Sequence, residues 1–173
     1  MSVIINGSAG VTTNSGAVYD SLQSGTAVTA SGTSVNFTGI PSWVKRITVM
    51  FSGVSTNGSS NILVQVGAGS VVTTGYLGAT SVLTTGVGTA NYTNGLAIAT
   101  ANAAASVVNG LAVICNVSGN VWAMNTATGY SNGAGTMVGA SNISLGGVLD
   151  RVRITTVNGT DTFDAGTINI IYE

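Results

Sequence analysis

An all-β fold of the sandwich or barrel type is predicted by three features of this 173-residue sequence. Short apolar runs advance in two-residue steps, and turn residues interrupt them at intervals of about ten residues, the spacing of short strands in sandwiches and barrels. The composition fits as well: 45% of residues are hydrophobic and only 5% are charged, while Ser, Thr, Asn and Gly fill nearly half the chain. Val and Ile suit pleated inner faces, Thr suits outer ones, and Gly, Asn and Ser make turns. The length predicts one domain that buries a core without disulfides.

Residues 1–25 read as a separate segment. They hold one apolar run, Val3-Ile4-Ile5, among small polar residues, too little to fold alone. Two readings compete: a frayed tail, or an extended arm whose Val3, Ile4 and Ile5 lie against another chain, adding a strand or docking to it; the arm is the favoured expectation. The β domain then spans 26–173. Its first strand ends at Phe37, before the bend at Gly39-Ile40-Pro41, the only proline of the chain. From Trp43 to Val54 alternation is clear, with Ile47, Val49 and Phe51 on one face and Arg46, Thr48 and Met50 on the other. Asn57-Gly58-Ser59 is a turn, Ile62–Val66 its return strand, and Val71–Leu77 a further strand around Tyr76. Residues 82–93 read as a loop or short edge strand. Leu96–Thr100 and Val107–Val117 are strands joined by an Ala-rich link that suits one helical turn. Trp122–Thr126 is a strand, 127–135 a loop holding Tyr130, and Met137–Leu145 another strand.

The last stretch, Asp150–Glu173, reads as a β-hairpin closing a sheet. Val152 and Ile154 alternate with Arg151, Arg153 and Thr155, and Ile168, Ile170 and Tyr172 share one face of the second strand. Asn158-Gly159 and Asp164-Ala165-Gly166 supply turn chemistry. Charge concentrates here, whereas residues 47–149 carry none. Ion pairs across the hairpin or a subunit boundary are therefore expected from Arg151, Arg153, Asp161 and Asp164, and a pairing of Lys45 or Arg46 with its carboxylates as well.

Chemistry is scarce. The chain has no His, which removes the commonest general base, the Ser-His triad and most zinc sites. Asp161 and Asp164, in a turn rich in Asn, Gly and Thr, suit backbone capping better than a glycosidase pair or a calcium loop. No catalytic constellation, metal or cofactor is expected, so the chain reads as non-enzymatic. Cys115, the single cysteine, reads as a small buried hydrophobe. Four basic residues make no footprint for nucleic acid. Leu96–Cys115 is long enough for a bilayer span, yet Asn102, Asn109 and the lack of flanking basic residues argue against insertion. The N-terminus shows neither a basic region nor a continuous apolar one, so no signal peptide is expected. A mean hydropathy of +0.48 instead implies surface hidden between subunits.

Three segments carry a family resemblance: VNFTGIPSWVKRITVMFSGVSTNGSSNILVQVG at 35–67, TTGYLG at 73–78, and DRVRITTVNGTDTFDAGTINIIYE at 150–173. They resemble bacteriophage virion structural proteins of the tail-fibre and appendage type. The resemblance implies an antiparallel β-sandwich of jelly-roll type, a homotrimer on the particle surface, and attachment to other virion proteins of capsid or tail. The alternative it carries is a receptor-binding adhesin of the tail contacting host surface polysaccharide, with Tyr92, Trp122 or Tyr130 stacking on sugars. A chain of this length, starting at Met, leaves no room for the shaft of a long fibre, which favours the structural role.

Overall fold

The computed structural model describes residues 22–173 in full and, of residues 1–21, only the backbone of the segments 3–6, 10–13 and 16–17. Those segments are β1 (Val3–Asn6), β2 (Gly10–Thr13) and β3 (Gly16–Ala17), paired antiparallel in that order. The side chains of Val3, Ile4 and Ile5, and with them the expected docking role, lie outside the described residues. The remaining strands are β4 (Gln23–Ser24), β5 (Val28–Thr29), β6 (Ser34–Thr38), β7 (Arg46–Thr56), β8 (Ile62–Ala68), β9 (Ser70–Val71), β10 (Leu77–Leu83), β11 (Val87–Tyr92), β12 (Leu96–Ala99), β13 (Val108–Ser118), β14 (Val121–Tyr130), β15 (Gly135–Ser144), β16 (Arg151–Thr156) and β17 (Phe163–Tyr172). Among the described residues there is no helix, and the candidate bilayer span 96–115 is parts of β12 and β13.

The chain is all-β, with antiparallel sheets in a sandwich-like arrangement. The large sheet runs β11-β10-β15-β14-β13-β7-β17, with β4 and β5 both on β17; the small sheet runs β12-β8-β16-β6, with β9 on β8. Because β4 pairs Ser24 with Ile171, the chain joins the large sheet from Gln23, just before the expected start at 26. Pairing across the sheets is nested: β10 with β11, β8 with β12, β7 with β13, and β6 with β16. The hairpin β14-β15 is inserted between β13 and β10.

Alternation fixes which faces meet. Ile47, Val49 and Phe51 of β7, Ile114 of β13, Met124 of β14 and Ile168 and Ile170 of β17 are buried from the large sheet. Val35 and Phe37, Val64 and Val66, Leu96 and Ile98, and Val152 and Ile154 join the same core from the small one. Burying such a side chain contributes about 1.5–3 kcal/mol, and one step of register would turn the whole set outward.

The expected closing hairpin is corrected here. Both strands form, but β16 belongs to the small sheet and β17 to the large one. Residues 157–162 cross between sheets, because Val152 and Ile154 must face Ile168 and Ile170 across the core, which side-by-side pairing in one sheet would not allow. The Asn57-Gly58 turn crosses likewise, so β8 is no return partner of β7. The strand expected over Val71–Leu77 is a linker between β9 and β10, the Ala-rich link 101–105 is a turn, and of the loop expected at 127–135 the first four residues continue β14 to Tyr130, leaving a turn at 131–134.

A row of glycines interrupts three neighbouring strands. Gly53 of β7, Gly110 of β13 and Gly166 of β17 have φ of 65°, 133° and 94°, and the register shifts beside each. Asn109 Oδ1 accepts the Gly53 N–H at 2.8 Å, replacing a lost ladder bond. Beyond this bulge the alternation of β7 stops and Val54, Ser55 and Thr56 are buried in succession. A Cβ on Gly166 would meet the Gly53 carbonyl oxygen, and one on Gly110 the Ala127 carbonyl oxygen. Gly110→Ala and Gly166→Ala should therefore each lower stability by about 1–3 kcal/mol. Gly86→Ala, where a Cβ meets nothing within 4 Å and φ is not positive, should stay within ~0.5 kcal/mol when all three variants are unfolded in urea.

Candidate functional site

The polar feature that stands out is a cleft on the outer side of the small sheet, with a volume of about 310 Å³. Its base is the cross-strand pair of Gln65 on β8 and Arg153 on β16. Gln65 is a lone amide inside the apolar run of β8 and is only 4% exposed. Its amide nitrogen donates to the Asn94 carbonyl at 2.5 Å, which fixes the amide orientation. The Gln65 Oε1 then accepts Arg153 Nε at 2.9 Å and Nη2 at 2.6 Å. The guanidinium of Arg153, which lines the cleft, is thus held by a neutral acceptor.

The walls are hydroxyls, amides and backbone from Thr33, Ser34, Thr73, Asn94, Thr155 and Asn158. The 157–162 crossing forms one wall and is rigid for a local reason. Asn158 Oδ1 accepts the Thr160 and Asp161 N–H groups at 3.0 and 3.1 Å, and the Thr156 hydroxyl at 2.8 Å. Asp161 accepts Asn158 Nδ2 at 2.7 Å and the Ser60 N–H at 2.9 Å. These bonds hold its carboxyl below the usual aspartate range, the Asn158 bond contributing most.

Tyr76 positions the opposite wall. Where β12 ends at Leu96, opposite Val64, β8 loses its neighbour. The Tyr76 hydroxyl fills the gap, accepting the Val66 N–H at 2.8 Å and donating to the Val72 carbonyl at 3.0 Å. Val72 N–H bonds the Val66 carbonyl at 3.0 Å, so the linker bearing Thr73 is pinned to the sheet.

The charged residues singled out in the sequence do not form one constellation. Arg151 pairs with its neighbour Asp150 at 2.7 Å, not across the crossing. Asp150 also accepts the Gly69 N–H at 3.1 Å, and its pKa is lowered, chiefly by the Arg151 bond. Arg153 makes no ion pair among the described residues. Asp164 accepts the Ser55 hydroxyl of β7, while Asp161 faces the 58–60 turn. The cross-strand pair is Arg46 with Glu173 at 3.1 Å, the pairing of β7 with the final segment that the clustering of charge suggests. Among the described residues no group of three or more His, Cys, Asp or Glu stands in a metal-holding arrangement.

Two of the three aromatic candidates for sugar stacking are corrected by burial. Trp122 is 4% exposed because even-numbered positions of β14 face the core. Tyr92 is 8% exposed and packs on Leu63 and Ala97, its hydroxyl accepting Asn61 Nδ2 at 2.8 Å and donating to Thr100 Oγ1 at 3.0 Å. Tyr130 is half-buried beside a smaller cleft of about 170 Å³, with its hydroxyl bonded to the Thr100 carbonyl at 2.8 Å. Cys115 is half-buried on the outer face of the large sheet, not in the core. Gln65, Thr73 and Asn94 escape a sequence reading; the signal was one amide in an otherwise apolar strand.

Comparison with protein-family models, with curated proteins and with solved structures gave no match.

Burial pushes the Tyr76 phenol up from 10.0 to about 12. Between those pH values the unfolded chain has released a proton that the folded chain retains, so stability falls as pH rises through the window, by about 2–3 kcal/mol for this residue. Tyr76→Phe should cost about 1–2 kcal/mol at pH 7 through the lost hydrogen bonds. It should then lose less stability than the parent between pH 10 and 12, as read by urea unfolding at each pH.

Proposed function

We propose that this chain is a non-enzymatic structural protein of a bacteriophage virion, a tail-fibre-like or head-fibre and decoration appendage that assembles as a homotrimer. The resemblance of segments 35–67, 73–78 and 150–173 is one support. The nested strand pairing is another, since it favours the jelly-roll form of the sandwich. In a jelly roll one long hairpin is rolled over a core, so inner strands pair with inner and outer with outer. Here β10 and β11 are the tip, and β6 with β16 the open end.

The observation that carries the assembly is the outer face of the large sheet. Met50, Leu111, Ala127, Val138 and Ser81 form one row across five strands. Leu77, Leu83 and Val87 extend it toward the edge, where Leu77 and Val87 are 71% and 72% exposed. No charge interrupts it from β10 to β15 or along β13 and β14. Four strands of about ten residues span roughly 600 Å², close to the ~800 Å² each partner gives to a standard interface. In a three-membered ring each subunit covers this face with a different face of its neighbour, an uncharged patch is buried there without desolvating charge, and solvent exposure of so large a patch is unusual in a monomer. Attachment belongs, on this reading, to an N-terminal arm with Val3, Ile4 and Ile5 as its anchor.

A second reading, a receptor-binding adhesin contacting host surface polysaccharide, is favoured by one observation, the Arg153 cleft.

Light scattering on the purified chain should return about three times the 17.0 kDa chain mass, and Leu111→Asp with Val138→Asp should lower it while leaving far-UV circular dichroism unchanged. A mass near one chain for the parent would remove the assembly. A chain lacking residues 1–22, which keeps β4 on the large sheet, should still form the oligomer yet fail to enter virions; normal occupancy would place attachment in the β domain.

A further inference from the structure

We propose that the Arg153 cleft binds a carboxylate-bearing saccharide. This narrows the adhesin reading to one site and one chemical class, and it rests on that reading.

The argument begins with the arginine. Arg46 and Arg151 each have a carboxylate partner, but Arg153 has none among the described residues. Its Nε and Nη2 both donate to the Gln65 oxygen, using two of the five N–H donors of a guanidinium. The Nη1–Nη2 edge is left for a ligand, and that edge has the fork geometry that matches a carboxylate. Orientation is set before binding: Gln65 is buried, and its own amide is fixed by the Asn94 carbonyl. A charge held in a cleft by a neutral amide is what an anion site needs and what a purely structural ion pair lacks.

The rest of the cleft selects the body of the ligand. Thr33, Ser34, Thr73, Asn94 and Thr155 offer hydroxyl and amide groups but no aromatic face and no second basic residue. One guanidinium matches the single charge of a carboxylate better than the double charge of a phosphate, which recruits several donors. The hydroxyl and amide lining suits a polyhydroxylated ring. The volume, about 310 Å³, sits at the small end of ligand sites, which run about 300–1,000 Å³, and accommodates one or two sugar units.

The test uses the full chain and three probes: an oligosaccharide containing glucuronic acid, the same oligosaccharide with its carboxyls reduced to alcohols, and inorganic phosphate. Titration calorimetry should detect the acidic oligosaccharide, with the reduced form weaker by about tenfold or more, as expected when a charge-assisted fork is lost. Arg153→Lys removes the fork but keeps the charge, and should weaken the acidic probe. Should that variant misfold, Thr73→Glu, at an exposed wall position, leaves the Arg153–Gln65 pair intact, sets a carboxylate against the site and should abolish binding. Val148→Glu, on the exposed linker between β15 and β16, should change nothing. Equal binding of acidic and reduced probes, unaffected by Thr73→Glu, would overturn this site while leaving polysaccharide contact standing. Displacement by phosphate at matching concentration would overturn the saccharide assignment. Binding of neither oligosaccharide would remove both the site and the adhesin reading.

Discussion

Two sheets that each have one apolar face can be stable only if those faces meet, and the connections of this chain follow from that requirement. β6, β8, β12 and β16 supply one face; β7, β13, β14 and β17 supply most of the other. Each crossing between them, at 57–61 and at 157–162, lets successive strands present alternating side chains to the same core from opposite sides. A hairpin at either place would put both strands in one layer and leave the other short of a strand. The hydrogen-bonded turns at Asn57 and Asn158 take their positions from this requirement.

A sandwich built from so few charges needs another means of satisfying its buried polar groups, and Thr, Asn and Tyr provide it. Short β12 has only β8 beside it. Its carbonyls are met by hydroxyls from the large sheet: Thr80 bonds the Ala97 oxygen at 3.0 Å and Thr128 the Ile98 oxygen at 2.5 Å. Asn102 ties the 58–60 turn through its side-chain nitrogen, reaching the Ser60 carbonyl at 3.1 Å and the Thr56 hydroxyl at 3.2 Å. Each such bond contributes only about 0.5–1.5 kcal/mol net, but leaving its partner unmet would cost about 1–3 kcal/mol. The abundance of Thr and Asn is thus structural accounting in the interior, not merely surface polarity.

The two outer faces differ in kind. That of the large sheet is broad and uncharged from β10 through β15, with the Arg46–Glu173 pair confined to its β7–β17 end, and it is suited to covering by a neighbouring subunit. That of the small sheet is polar, indented and centred on an arginine held by an amide. Both sit on strands whose inner residues are locked in the core, so the outer side chains are displayed on a rigid frame. A subunit that packs through one sheet leaves the other free to meet solvent, which makes the structural and the adhesive readings compatible in one assembly.

The sequence alone determined the all-β class, the inward positions of β7, β16 and β17, and the pairing of Arg46 with the final segment, because period-2 alternation and sparse charge are local and countable. Turn chemistry located most boundaries for the same reason. It did not determine which sheet each strand joins: Asn-Gly turns at 58 and 158 look alike whether the chain doubles back or crosses over. Nor did it determine the phase of β14, where Trp122 turns inward and alternation between Ala and Thr or Met is too weak to choose a face. The cleft was hidden because Gln65, Thr73, Asn94 and Arg153 are far apart in the chain and meet only through cross-strand register. Only the tertiary structure decided these, since they depend on which faces must be buried together.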